Sequence, residues 1–206
     1  MWGGQPGRSR LPGGFFEIFR LSQAQLRMKH YERRLPHFEV IGQPLFVTFR
    51  LHGSLPRNRV FPPAQVTDGK SFVVMDRILD AAATGPRYLA IPEIASLVVS
   101  ALWNLECRFE RCEVHSFVVM PNHVHALVTP RVEATKWLAP LKAFTSRQAN
   151  LLLSRTGRFW QEESYDRLVR PGAEFDRIQR YIENNPVSAG LIAEPERFPW
   201  SQKAAW

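Results

Sequence analysis

The chain has 206 residues, of which 45% are hydrophobic, and carries a net charge of +8 with a pI near 10.1. That length fits one domain with or without an extension, and the composition can supply an ordinary core. The excess of positive charge favours a polyanionic partner, of which nucleic acid is the commonest soluble kind. Two cysteines are too few for a disulfide framework. The best apolar run, residues 94–103, is about half of the ~20 residues that span a bilayer, and no secretory signal precedes it, so we expect a cytoplasmic protein without a membrane partner.

The first residues differ in composition from the rest. Residues 1–14 are rich in Gly, Pro and Arg, and a helix over residues 15–34 would end in a basic cluster. We therefore expect residues 1–30 to be a basic, flexible N-terminal extension and residues 31–206 to form the domain.

Apolar periodicity predicts the elements of that domain. Alternation of β-branched or aromatic residues with polar ones indicates a strand at residues 45–51, two apolar runs indicate strands at 114–120 and 123–129, and a further strand-like stretch lies within 158–170. Helical spacing indicates helices at residues 71–83, 91–110, 134–154 and 174–184, the last stopped by Pro186. The dipeptide Pro121-Asn122 between two strands indicates a hairpin. The order predicts an α+β fold in which one antiparallel sheet carries helices on one face.

Two histidines stand out on the second strand of the hairpin. His123 and His125 flank Val124, so their side chains share one face of the strand, with Cα atoms roughly 6.5–7 Å apart. Two imidazoles at that spacing can hold one divalent cation. A His-x-His pair on a strand is also common as plain exposed decoration, and further ligands are needed to favour the metal site.

The last helix supplies such residues. Tyr181 and Asn185 are four residues apart and share a helix face. A tyrosine becomes a covalent nucleophile where a metal polarises the phosphate that it attacks, and the Asn185 amide oxygen could complete a three-ligand set. Because Pro186 disfavours helical geometry at the residue before it, Asn184 is the alternative ligand.

At this point the residues resemble a known family. The segment MPNHVHALV at 120–128 resembles the HUH motif (His, hydrophobic, His) of single-tyrosine transposases, and RYIENNPVSAGL at 180–191 resembles the tyrosine helix of their REP-associated branch. Residues 45–56, 141–150 and 159–170 are also similar to that branch. The likeness runs from about residue 31 to 200 in the expected order.

The resemblance implies a ferredoxin-like antiparallel sheet of the HUH-nuclease type and Mg²⁺ or Mn²⁺ held by His123, His125 and a helix side chain. It implies that Tyr181 cleaves single-stranded DNA through a 5′-phosphotyrosine link, that the DNA is a palindromic repeat forming a hairpin, and that the protein acts as a monomer, with a dimer as the alternative. No G-x-x-x-x-G-K-[ST] motif occurs, so no nucleotide cofactor is expected.

Contacts to DNA should come from basic and aromatic side chains near this face. Basic side chains pair with phosphates, and an aromatic ring stacks on a base for about 1–3 kcal/mol. The candidates are Arg50, His52, Arg57, Lys142, Arg147, Trp160, Arg167 and Arg170, with Phe159 as a second ring. Each has an ordinary alternative, since arginine and lysine are usually solvated and Trp160 could equally be buried.

Three other functions compete with the transposase. A DNA-binding protein of the same fold that has lost catalysis would share the charge but form no covalent adduct. A small zinc hydrolase would need further His, Asp or Glu ligands at short spacing, and the sequence has none. A structural module would leave the motifs as coincidence.

Overall fold

The computed structural model describes residues 29–32, 36–39, 41–55, 69–81 and 85–202. The expected extension therefore lies almost wholly outside the described residues, as does Arg57. Its proposed boundary at residue 30 falls inside strand β1 (Lys29–Glu32), which pairs antiparallel with β2 (Pro36–Glu39). The helix expected over residues 15–34 is wrong at its C-terminal end. Proline removes a backbone donor and disfavours helical geometry before it, but it is accepted as the first residue of a strand, where Pro36 stands.

A four-stranded antiparallel sheet organises the rest. Its strands are β3 (Leu45–Arg50), β4 (Cys112–Val119), β5 (His123–Pro130) and β6 (Tyr165–Leu168), in the order β4-β5-β3-β6. Helices α1 (Gly69–Ala81) and α2 (Pro92–Cys107) lie between β3 and β4, α3 (Ala134–Leu152) lies between β5 and β6, and α4 (Ala173–Ser188) follows β6. This order is that of a ferredoxin-like sheet, and the predicted α+β fold is confirmed.

The β4–β5 hairpin forms where the sequence indicated it. Val119 pairs with Val124, and the Met120 amide donates to the His123 carbonyl at 2.9 Å, which closes the turn through Pro121 and Asn122. On its other side β5 pairs with β3, with Thr48 opposite His125 and Arg50 opposite His123. The histidine strand is therefore a central strand with a neighbour on each edge.

The two faces of the sheet are built differently. On the first, which we call the apolar face, Val47, Phe49 and Val124 join one buried cluster with residues of α2 and α3. On the second, which we call the histidine face, Phe46 and Leu127 lie beside Thr48 and the two histidines. Helix α4 packs on this face together with part of α1. The sequence predicted four helices on one face, whereas the structure places α2 and α3 on the apolar face and α1 and α4 on the histidine face.

Helix α4 continues past the point where the sequence predicted its end. It runs through the buried Pro186 to Ser188, so the expected stop at that proline is wrong. Proline this close to a helix end removes a single internal hydrogen bond. The amide of Ala189 still donates to the Asn185 carbonyl at 2.9 Å, and Gly190 at φ 69° ends the helix in the left-handed conformation. Tyr181 and Asn185 thus keep their shared helix face.

Candidate metal and nucleophile site

The two histidines form the centre of the site. Both are completely buried, and their Nε2 atoms lie 3.0 Å apart with ring centroids separated by 4.6 Å. The strand alternation that predicted a shared face therefore brings the same nitrogen of each ring to one point.

Asn122 determines which His123 nitrogen carries a proton. The Asn122 Nδ2 donates to the Leu79 carbonyl at 2.9 Å, so its Oδ1 is the atom that faces His123 Nδ1 at 2.7 Å. An amide oxygen only accepts, hence Nδ1 of His123 donates and Nε2 keeps a free lone pair. Burial, with the neighbouring His125 as a lesser cause, lowers the pKa of His123 to about 3, so the ring is neutral at pH 7.

His125 is oriented from the neighbouring strand. Its Nδ1 lies 2.7 Å from Oγ1 of Thr48, the residue opposite it on β3, and its ring stacks on Phe46 with centroids 5.5 Å apart. Hydrogen bonds of this kind to the second ring nitrogen fix the orientation of metal-binding histidines. Both imidazoles are thus held with Nε2 directed at the same point.

Helix α1 brings two carboxylates that sequence reasoning missed. Oδ1 of Asp76 lies 2.9 Å from His125 Nε2 and 3.7 Å from His123 Nε2, and the residue is 3% exposed. Asp80, one turn on, has Oδ1 3.7 Å from His123 Nε2. A signal existed in the sequence, because Asp76 and Asp80 interrupt an apolar helix at i, i+4 spacing, but nothing there linked that helix to the histidines.

The two carboxylates have opposite pKa shifts. Burial tends to raise the pKa of Asp76, but His125, His123 and Asn185 together lower it below its ordinary value, so Asp76 is ionised. Burial, followed by the charge of Asp76, raises the pKa of Asp80 to about 7. The site therefore contains one firmly charged carboxylate beside two imidazoles.

Asn185 enters the site from α4. It is 1% exposed, its Nδ2 lies 3.4 Å from Asp76 Oδ2, and its Oδ1 is buried without a hydrogen-bond partner in the part of the chain that the structure describes. Asn184, the alternative ligand, is exposed and donates to the Arg180 carbonyl one turn earlier. Of the two asparagines, the structure brings only Asn185 to the histidines.

Tyr181 lies on the same side of α4. Its ring centroid is 5.7 Å from that of His125 and 6.2 Å from that of Phe46, which it meets edge to face. The residue is half-buried. One chain thus places the phenol beside the histidine pair, without a residue from a second copy.

These residues are suited to a divalent cation. Asp76, His123 and His125 each offer one ligand atom, and those atoms all lie within 4.8 Å of one another. Two ligands at about 2.1 Å from a metal and at right angles would be about 3.0 Å apart, close to two of the separations found here. The unpartnered Asn185 oxygen is a further neutral donor. The donor set, two nitrogens with carboxylate and amide oxygens, fits the chemistry of such a site.

The basic residues predicted to contact DNA fall into different environments. Arg50, opposite His123 in the register, donates to Ser54 Oγ at 3.2 Å, and burial lowers its pKa to about 10, which leaves it charged at pH 7. His52 is exposed and lies 3.3 Å from Gln161 Oε1 through its Nδ1. Arg50 is the last residue of β3 and His52 lies two residues beyond it, at the end of the strand that adjoins the site.

Lys142 is used differently from the expectation. Its Nζ donates to the carbonyls of Gln161 and Glu162 at 2.7 and 2.9 Å and to Ser164 Oγ at 3.3 Å. An ammonium has three donors, and here all of them are directed at the chain itself. The expected phosphate contact is corrected to an internal anchor for residues 161–164.

Trp160 does not present a stacking surface. It is 6% exposed, its Nε1 donates to Thr145 Oγ1 at 2.9 Å, and its ring packs edge-on against Phe49 at 4.9 Å. Phe159 is 1% exposed. Neither ring offers a stacking surface in this structure, because both belong to the core of the apolar face.

The remaining arginines lie away from the histidines or are paired. Arg147 is exposed on α3, which covers the apolar face. Arg167 forms an ion pair with Glu174, and the exposed Arg170 donates its backbone amide to the same carboxylate at 3.2 Å. Of the predicted basic residues, Arg50 and His52 fit the site best.

Comparisons with known proteins agree with this fold. Residues 93–185 match the family model described as transposase, IS200-like, an interval that contains both histidines, Tyr181 and Asn185. A solved structure of a REP-associated tyrosine transposase bound to a REP hairpin is similar over 84% of this chain and 82% of that one, with a TM-score of 0.52 and 19% identity. No curated protein matches the chain significantly.

The resemblance to single-tyrosine transposases that the motifs indicated is confirmed. The family match supports a transposase role, and the structural likeness supports the ferredoxin-like fold. None of the described helices has the length and hydropathy needed to cross a membrane.

Proposed function

We propose that this protein is a metal-dependent nuclease and strand transferase that cleaves single-stranded, hairpin-forming DNA with Tyr181 as the nucleophile. The observation that carries the proposal is the 5.7 Å separation between the rings of Tyr181 and His125 within one chain. That nearness supports a monomer that completes its own site, in agreement with the expectation from the family.

His123, His125 and an oxygen of Asn185 or Asp76 would hold Mg²⁺ or Mn²⁺. When bound, such a cation supplies Lewis-acid polarisation of a phosphate oxygen, worth several kcal/mol of barrier. The protein's own contribution is to direct the lone pairs. Asn122 and Thr48 hold the two Nδ1 atoms, at 2.7 Å each, so that both Nε2 atoms converge on one point.

Tyr181 would carry out the covalent step. Its phenolic oxygen forms a bond to the phosphorus, the bond from phosphorus to the 3′-oxygen breaks, and the phenol proton is balanced by the proton that the leaving 3′-hydroxyl takes up. The products are a 5′-phosphotyrosine and a free 3′-hydroxyl. Edge-to-face packing on Phe46 limits where the ring can move, which favours in-line attack. Since the phosphodiester energy is conserved, the reverse reaction joins strands without a nucleotide cofactor.

Arg50 is the best candidate for a contact to the scissile region, because it stands opposite His123 and stays charged. Together with His52 and the charge of +8, it supports an electrostatic contribution to DNA binding. We expect the affinity for DNA to fall steeply as the salt concentration rises. Arg50→Gln should lower that affinity, and it should reduce the slope of log affinity against log salt concentration by about one, the contribution of one phosphate contact. An unchanged slope in that variant would remove Arg50 from the interface.

The similar transposase structure is bound to a REP hairpin, and for this chain we propose the same class of partner, a palindromic hairpin with a flanking single strand. The test is denaturing electrophoresis of protein mixed with Mg²⁺ or Mn²⁺ and labelled oligonucleotides that form a hairpin beside a single strand. A 5′-phosphotyrosine retains the 3′-labelled fragment on the protein and releases the 5′-labelled one. Protein that binds the hairpin but never forms an adduct would instead indicate a DNA-binding protein without catalysis.

Tyr181→Phe removes only the phenolic oxygen and should abolish the adduct while leaving hairpin binding in place. Tyr165→Phe is the matched control, since Tyr165 also packs on Phe46, at 6.4 Å, and burial raises its pKa. We expect Tyr165→Phe to form the adduct. An adduct that persists in Tyr181→Phe would remove Tyr181 from the mechanism, and cleavage that continues in chelator would remove the cation.

A further inference from the structure

Asp76 is a buried carboxylate whose presence needs an explanation. The residue is 3% exposed. Removing a carboxylate from water costs several kcal/mol unless charge or hydrogen bonds compensate. Its partners among the described residues are two imidazoles and one amide. A cation bound beside the carboxylate would compensate that cost.

The position of the carboxylate oxygens suggests their roles. Oδ1 lies 2.9 Å from His125 Nε2 and 3.7 Å from His123 Nε2, so it completes a triangle with the two ring nitrogens. Oδ2 is turned away from that triangle, towards Asn185 Nδ2 at 3.4 Å. One oxygen therefore faces the point where the nitrogens converge, and the other is held by the asparagine.

From this geometry we infer that Asp76 on α1 is the third protein ligand of the cation and that Asn185 is a positioning residue that holds its carboxylate. The inference rests on the proposed function, because it assigns a ligand to that same site. It differs from the sequence-based set, in which Asn185 itself completed the site.

A carboxylate ligand changes what the site prefers. Two imidazoles alone suit zinc or copper, whereas a carboxylate adds a hard oxygen donor and one negative charge, which favour Mg²⁺ and Mn²⁺. The ligand would also connect helix α1 to the sheet, since Asp76 belongs to the helix whose Leu79 carbonyl already accepts from Asn122. Cation binding should then stabilise the contact between α1 and the histidine face.

Isothermal titration of the full chain with Mn²⁺ tests the assignment without any DNA or turnover. We expect Asp76→Asn, which keeps the shape but loses the charge, to weaken Mn²⁺ binding at least about tenfold, the lower end of what even outer-shell changes cause. The rise in melting temperature on adding Mn²⁺ should shrink in parallel. Asp80→Asn is the matched control, since Asp80 lies on the same helix 3.7 Å from His123 but outside the ligand triangle. We expect its loss to be clearly smaller.

Asn185→Ala separates a ligand from a positioning residue. If Asn185 acts through Asp76, its loss should weaken Mn²⁺ binding less than Asp76→Asn does, and Asp76→Glu, which restores the charge, should recover part of the affinity. A larger loss in Asn185→Ala than in Asp76→Asn would overturn the inference in favour of the asparagine.

The failure of this inference can be distinguished from failure of the proposed function. Wild-type protein that binds no Mn²⁺, or a His125→Ala variant that binds it normally, would overturn the metal site as a whole. Loss of binding in His125→Ala with normal binding in folded Asp76→Asn, checked by circular dichroism, would overturn only the role of Asp76.

Discussion

The two faces of the sheet differ in the side chains that they bury, and the proposed chemistry lies on only one of them. Along β5 the side chains alternate between them, so Val124 joins the apolar cluster under α2 and α3 while His123 and His125 point to α1 and α4. Both faces bury an apolar cluster, and the histidine face also buries two imidazoles, a carboxylate and an amide. Burial of apolar surface stabilises the fold, whereas burial of polar groups costs free energy unless they are satisfied. The polar groups of the histidine face are therefore better explained by the proposed cation site than by their contribution to stability.

The largest difference between the two faces is expected when adjacent residues of β5 are changed. His125→Ala removes a proposed cation ligand and should lower cleavage by several orders of magnitude, because a Lewis-acid contribution of several kcal/mol is lost. Val124→Ala, one residue away on the apolar face, should cleave normally while its unfolding midpoint falls. Single-turnover cleavage and urea unfolding of both variants provide the measurement. Equal cleavage in the two variants would contradict the division of roles.

The next largest effect is expected in the apolar core. Phe49 is 1% exposed and packs on Trp160, so Phe49→Ala should lower the free energy of unfolding by about 3–5 kcal/mol. At a temperature where the variant stays folded, Mn²⁺ affinity should remain close to that of the wild type. A large loss of Mn²⁺ affinity in the folded variant would mean that the faces are coupled through the sheet.

The sequence predicted the faces well because alternation on a strand is a local property. His123 and His125 share a face for the same reason that Val124 and Ala126 do, and the Pro121-Asn122 turn fixed the hairpin between β4 and β5. Tyr181 and Asn185 could likewise be placed on one helix face from their spacing alone. The local signal that failed was the helix stop expected at Pro186, through which α4 continues.

Contacts between distant segments could not be predicted in this way. Asp76 lies beside the histidines because α1 packs on the histidine face. The periodicity of α1 predicts a helix but does not indicate which strand the helix packs against. Burial of single aromatic residues was open for the same reason, since Trp160 immediately precedes the segment that Lys142 anchors and the side on which its ring lies depends on tertiary packing. Residue type left both an exposed and a buried Trp160 open, and the structure shows the buried one.

A smaller effect on Mn²⁺ affinity should follow from changing a residue that orients a proposed ligand but does not bind the cation itself. Asn122→Ala removes the acceptor that holds His123 Nδ1 and the donor to the Leu79 carbonyl. Loss of such a partner typically lowers metal affinity by roughly 10- to 100-fold. We therefore expect Mn²⁺ titration to give a weaker but measurable affinity, between those of wild type and His125→Ala. An affinity equal to that of wild type would show that the tautomer of His123 does not depend on Asn122.

The smallest expected effect sharpens the corrected role of Trp160. Trp160→Phe keeps an aromatic ring but removes the indole donor to Thr145 Oγ1, a net loss of about 1 kcal/mol in the free energy of unfolding. Because the ring is buried against Phe49, the affinity for hairpin DNA should not change. Urea unfolding and a fluorescence-anisotropy titration with labelled hairpin measure the two quantities on the same sample. A stacking residue would give the reverse pattern, with about 1–3 kcal/mol lost in DNA binding and little in stability, and that result would return Trp160 to the DNA interface.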